Sequence, residues 1–227
     1  MDLIECTLRT ADSQLAKTPS HQLAPVGQSS LSTTACFQHP CGTMATAYMV
    51  SDEQDEQRDA LTGLFNRRRF YGDLDSAVRD AGQIAYILAD LDECKKVNDT
   101  YGHEVGNRIL RDVAQIFATR CAASRSSFGP YRHGGEAFCV FLTDVDAEKT
   151  VEFAESLRAG VEGLRFDAHP RLRVTARLAA VTADLRGRDG DQRQRCQEYL
   201  LSQPHEAVYC HPQDKKHNEV VMLPQGD

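Results

Sequence analysis

The chain has 227 residues, with 26 Lys and Arg against 33 Asp and Glu and a formal net charge of −7 at pH 7. That balance weighs against generic binding to a nucleic-acid backbone, which needs a positive surface, and nothing approaches the roughly 20 consecutive apolar residues of a membrane-spanning helix. With 41% hydrophobic and 26% charged residues the chain can bury a core. Asp2 and Glu5 stand where an export signal carries positive charge and no apolar stretch follows, so the expectation is a cytoplasmic protein whose eight cysteines stay as thiols.

Residues 1–58 read as an irregular arm leading into a helix. They are rich in Ser, Thr, Gln and Ala, carry Pro19, Pro25 and Pro40, and show no sustained period. Cys36, His39 and Cys41 are close enough to share a metal, but no second Cys or His pair stands at zinc-site spacing. The acidic run 52–59 reads as a solvated face or the end of a helix entering the domain.

From residue 59 to the end the pattern is that of one folded domain. Phe70, Leu74, Ala77, Val78 and Ala81 predict an amphipathic helix over 67–81. The run IAYILA (84–89), ending at Asp90, predicts a buried central strand. Val105, Ile109, Val113 and Phe117 fall on one helical stripe. Residues 127–133 and 136–142 read as strands joined by Gly134-Gly135, a two-residue hairpin signal. Asp146 is placed to cap a helix carrying Val151, Ala154, Leu157 and Val161. A strand over 172–182, a less regular helix over 192–201 and a strand over 219–223 complete the chain. The order strand, helix, hairpin, helix, strand implies an α+β, ferredoxin-like fold, an antiparallel central sheet with helices packed on one face.

In that topology the first strand runs antiparallel to the second strand of the hairpin, so Asp90 and Glu136 meet at one edge of the sheet. Two converging carboxylates are costly unless a cation sits between them, and a divalent ion with oxygen ligands is the usual answer. Taken singly, Asp90 reads as a turn cap and Glu136 as an exposed hairpin residue.

DALTGLFNRRRF (59–70), DLDECKKVNDTYGHEVGN (90–107) and YRHGGEAF (131–138) together resemble the successive signatures of the GGDEF family of diguanylate cyclases. The resemblance covers residues 59–223. It implies a palm-type nucleotidyl cyclase fold and a transient head-to-head homodimer. The implied substrate is a purine nucleoside triphosphate, GTP, two of which would be joined into cyclic di-GMP by attack of each 3′-hydroxyl on the other α-phosphate. By position Asp90 and Glu136 resemble the metal-binding, catalytic carboxylates, with the Leu91 carbonyl assisting, and the implied cofactor is Mg2+ or Mn2+. Lys95 resembles the triphosphate contact, and Asn98 and the residue at 107 the guanine contacts. Gly134 and Gly135 let the backbone approach the nucleotide. With so short a segment ahead of the domain, a regulatory protein partner or the arm itself is expected to supply control.

Several positions depart from the family pattern. The fourth position of the name-giving motif, normally Glu, is Ala137. Asn107 stands for an Asp that accepts from guanine, and an amide offers one acceptor and one donor, a set suited in principle to adenine. The phosphate-binding segment reads AVYCHPQDKKHN (207–218) in place of a pattern resembling ALYxAKxxGRN, with His217 where Arg is expected and Lys215 or Lys216 as shifted substitutes. Phe128 replaces the Asp of the Arg-x-x-Asp product-inhibition motif that Arg125 would begin, and Arg177 and Ala179 replace a small Ser and a Gly.

Overall fold

The computed structural model describes residues 33–38, 44–49, 55–210 and 217–226, in two units, Met1–Ser51 and Asp52–Asp227. In the first, β1 (Thr33–Gln38) pairs antiparallel with β2 (Met44–Met49). The sequence, read as an irregular arm, gave no sign of this pair. The side chain of Cys36, and His39 and Cys41 entirely, lie outside the described residues. Among the described residues of the acidic run, Asp55–Gln57 form a 3-10 turn.

The second unit is built on a six-stranded sheet of order β3-β5-β6-β4-β7-β8. After β3 (Phe65–Asn66) comes α1 (Arg67–Asp80), opened by Asn66, whose side chain accepts from the Arg68 and Arg69 amides. The sheet's centre is β4 (Gln83–Leu91), followed by α2 (Cys94–Tyr101) and α3 (His103–Ala123). Next come the hairpin β5 (Ser127–Gly134) and β6 (Ala137–Thr143), then α4 (Ala147–Glu162), capped by Asp146. β7 (Ala176–Asp184), α5 (Gly190–His205), a π-helical turn (Glu206–Cys210) and β8 (Val220–Met222) finish it.

The central four strands are antiparallel in the ferredoxin-like order, and the flanking β3 and β8 run parallel to β5 and β7. The helices cover both faces of this sheet, a correction to the one-face packing the sequence suggested. Ala85, Ile87 and Ala89 of β4 pack with Ile109, Val113, Phe117 and Leu157 of α3 and α4. Ile84, Tyr86 and Leu88 pack with Phe70 and Leu74 of α1 and Leu200 of α5. A strand as continuously apolar as IAYILA has no polar side to leave in water, so both faces need cover.

Three other differences concern boundaries. Helix α2 was not foreseen because it is only eight residues long and its short stripe, Cys94, Val97 and Tyr101, is only partly buried. Strand β7 begins at Ala176, four residues later than the sequence suggests, although Leu172 and Val174 are buried. Helix α5 is longer than 192–201 because Asp189 and Gln192 form a capping box ahead of it. Arg193 of α5 then donates to the Val78, Arg79 and Ala81 carbonyls, closing the carboxyl end of α1.

Ile87 is fully buried at the middle of β4. Its replacement by Ala should cost about 2–5 kcal/mol in urea unfolding, whereas Asp146→Ala, which removes one cap, should cost about 1 kcal/mol.

Candidate functional site

The carboxyl end of β4 is fixed from both sides. Asp90 lies opposite Ala137 of β6 and Arg177 of β7. The Leu91 amide donates to the Glu136 carbonyl at 3.4 Å, and the Asp92 amide to the Thr175 carbonyl at 2.9 Å. The hairpin closes on the Gly134–Ala137 pair, so its two turn residues are Gly135 and Glu136. This shifts by one residue the turn expected from Gly134-Gly135, placing Glu136 in the turn and Ala137 beside Asp90. Gly134 and Gly135 have φ of 149° and 46°, conformations that glycine adopts without a Cβ penalty.

The exposed turn is braced by Arg132. Its guanidinium, 12% exposed, donates to Asp59 at 2.8 Å and twice to the Gly135 carbonyl, at 3.1 and 2.6 Å. Asp59 in turn accepts from the Thr62 amide and hydroxyl. Burial pushes the Asp59 carboxyl up, but hydrogen bonds from Thr62 and Arg132 outweigh it and hold it below the ordinary value.

Next to the turn lies a cavity of about 170 Å3 lined by Cys94, Asn98, Gly106, Asn107, Gly135 and Glu136, among others. It is smaller than sites that enclose a whole drug-sized ligand, and suits one planar ring with the remainder outside. Asn98, near the end of α2, lies against the start of α3, where a Cβ on Gly106 would collide with its Oδ1. The structure thus gathers Asn98, Asn107, Gly135 and Glu136 around one cavity, whose lining does not include Asp90, Leu91 or Gly134. Lys95 stands exposed on the first turn of α2.

The site is acidic. Burial first, then Glu136, Asp90 and Asp92, push the Cys94 thiol up to about 12, and burial, Asp90 and Glu136 raise the Tyr209 hydroxyl, which donates to Asp90 Oδ1 at 3.4 Å. The carboxylates of Asp90 and Glu136 and the Leu91 carbonyl are oxygen donors of the type a hard divalent ion takes. No group of three His, Cys, Asp or Glu side chains among the described residues is arranged to hold a metal unaided.

On the other side of Ala137 a second cavity, about 370 Å3, is lined by Arg67, Tyr71, Tyr86, His133, His205 and Tyr209. Burial, and then the neighbouring Arg67 and His205, hold the His133 imidazole below its ordinary value. Ala137 is 7% exposed at its wall, so a methyl group stands where a carboxylate would face Asp90.

Sequence reasoning passed over Asp59, Arg132, Asp92, Cys94 and Tyr209 as site residues. Asp92 accepts from Thr175 Oγ1 at 2.7 Å, the Asn218 amide at 3.0 Å and His217 Nδ1 at 2.9 Å, tying the loop after β4 to the carboxyl-terminal segment. The available signal was the alternation of carboxylates in DLD and the arginine preceding the glycines. Lys215 and Lys216 lie outside the described residues. Phe128 is 41% exposed and stacks on Phe141 at 5.2 Å.

A palm-type sheet with carboxylates at the end of its central strand and a glycine turn beside them defines a nucleotidyl cyclase architecture. The profile of the family described as "Diguanylate cyclase, GGDEF domain" matches residues 56–210, and the chain belongs to that family. It is 37% identical over 157 residues to the response regulator PleD of Caulobacter vibrioides, covering 66% of this chain and 33% of PleD. It is 36% identical over 112 residues to the diguanylate cyclase VdcA of Vibrio cholerae, covering 49% and 32%. The chain therefore spans about a third of the length of these relatives. Among solved structures, the coiled coil and GGDEF domain of DgcB from Caulobacter crescentus, in complex with c-di-GMP, superposes with a TM-score of 0.63 at 23% identity over 75% of this chain and 87% of that one. The diguanylate cyclase SiaD of Pseudomonas aeruginosa, in complex with its activator SiaC, gives 0.64 at 23% over 75% and 63%. No helix among the described residues is long and apolar enough to cross a membrane.

Because Asp59 titrates below its unfolded value, its contribution is present above about pH 3.9 and lost as pH falls through the folded value. Asp59→Asn should lower stability at pH 7 by about 1–3 kcal/mol, and the gap in urea midpoint from the parent should close toward pH 3. Gly106→Ala should displace the Asn98 amide, read as a shift of its side-chain NH2 resonances in a proton–nitrogen NMR spectrum.

Proposed function

We propose that this domain is a diguanylate cyclase-type protein of cyclic di-GMP signalling that binds a purine nucleoside triphosphate, GTP, in the cleft beside the hairpin turn and turns it over weakly. The observation that carries this reading is the gathering of Asn98, Asn107, Gly135 and Glu136 around one cavity, with Asp92 of the loop after β4 in its wall. Asn98 and Asn107 hold the base by its edge and the glycine turn admits the phosphates. Asp90, the Leu91 carbonyl and Glu136 would hold Mg2+ or Mn2+, which supplies activation of the 3′-hydroxyl and charge neutralisation at the phosphate. Two loaded domains meet as a transient homodimer, each presenting its nucleotide to the other.

Turnover is weak because Ala137 offers no carboxylate where the family has one, and single-group losses of this kind cost about a hundredfold or more. Asn107, which presents one donor and one acceptor, relaxes the preference for guanine.

The test is a mass-spectrometric product assay on concentrated protein with GTP and ATP, separately and together, in Mg2+ or Mn2+. Trace cyclic di-GMP is expected, abolished by Asp90→Ala and raised about a hundredfold by Ala137→Glu. Asn107→Asp should shift binding toward GTP over ATP. A product yield unaltered by both Asp90→Ala and Ala137→Glu would contradict catalysis at this site.

A further inference from the structure

Arg177 is the antiparallel partner of Asp90 across β4 and β7. Directly opposed residues on adjacent strands share a face of the sheet, with Cβ atoms about 4.5–5.5 Å apart. The packing agrees: Leu88, two residues before Asp90, and Ala179, two after Arg177, belong to the same core. The Arg177 side chain is 12% exposed, and its Nη2 reaches Glu219 Oε1 at 3.3 Å. Its Nε and Nη1 are buried with no hydrogen-bond partner. A guanidinium stays charged at every accessible pH, and burying it with donors unused is costly unless negative charge lies close by. Glu219 supplies one such charge, and the carboxylate of Asp90, directly opposite on β4, is placed to supply a second.

A second observation points the same way. Ala137, Asp90 and Arg177 form one row across β6, β4 and β7. Relative to the pattern the sequence resembles, this row lacks a carboxylate at one end and gains a cation at the other. Both changes reduce the negative potential that draws a cation to Asp90.

We propose that Arg177 is a built-in counter-ion of Asp90 that weakens divalent-cation binding at the end of β4. The inference rests on the placement of the cation site under the proposed function, but its test does not depend on nucleotide turnover. A neighbouring charge shifts the binding of a single proton by about tenfold or more, and a divalent ion should feel it at least as strongly.

The experiment is Mn2+ binding to the full chain without nucleotide, followed by electron paramagnetic resonance, for the parent, Arg177→Ser, Arg177→Met and Arg177→Lys. Arg177→Met keeps most of the aliphatic volume and serves if the serine variant does not fold. Binding about tenfold tighter in the two neutral variants is expected, with Arg177→Lys within about threefold of the parent because it keeps the charge. Equal Mn2+ affinity in the parent and the neutral variants would overturn the proposal, and so would a lysine variant as tight as they are. Binding of a fluorescent GTP analogue is measured in parallel. Its absence from every variant, with the Mn2+ order intact, would defeat the nucleotide reading and leave the role of Arg177 standing. Nucleotide binding with equal Mn2+ affinities would do the reverse.

Discussion

The register of β4 between β6 and β7 is the constraint on which the site depends. A strand has a side-chain period of two, so a slip of one residue would carry every side chain to the opposite face. Here the register is held along the length of β4 by apolar layers on both faces. That buried ladder is what allows polar and charged groups to accumulate where it ends. Asp90, the first of them, is still part of the ladder, while Glu136 and Asp92 hang from it by backbone bonds to their neighbours.

The chemistry at this end is a concentration of like charge kept in place by two arginines and a histidine. Asp90, Asp92 and Glu136 all act on the Cys94 thiol, and such a cluster favours expansion unless it is compensated. Arg132 holds the turn from below through Asp59, Arg177 stands across the strand from Asp90, and His217 meets Asp92. These are different solutions to one electrostatic problem. A phosphate-bearing ligand arriving with its cations would complete the neutralisation that the side chains begin.

Much of the fold was legible because the long elements carry a strong period. The stripes of α1, α3 and α4 and the run IAYILA gave their elements directly, and the cap at Asp146 was readable as a residue type. Helix α2 escaped because it lies on the surface of the site with no buried residue, and its left-handed lead-in at Glu93 has no glycine to announce it. The turn was misplaced by one residue because Gly134-Gly135 marks positive φ without saying which glycine still pairs. Asn98, Asn107 and Glu136 were singled out through the motifs that hold them, and they line one cavity. Asp92 and Arg132 were not, since their work is to position others through contacts from distant parts of the chain.

The account stands or falls on whether the cleft beside residues 134–136 receives a purine nucleotide. Backbone-amide NMR of the isotopically labelled full chain, titrated with a non-hydrolysable GTP analogue, tests this most directly. Saturable shifts centred on Asn98, Asn107, Gly135 and Glu136 are the expected result. Shifts confined to the cavity walled by His133, His205 and Tyr209, or no saturable shifts at all, would contradict it.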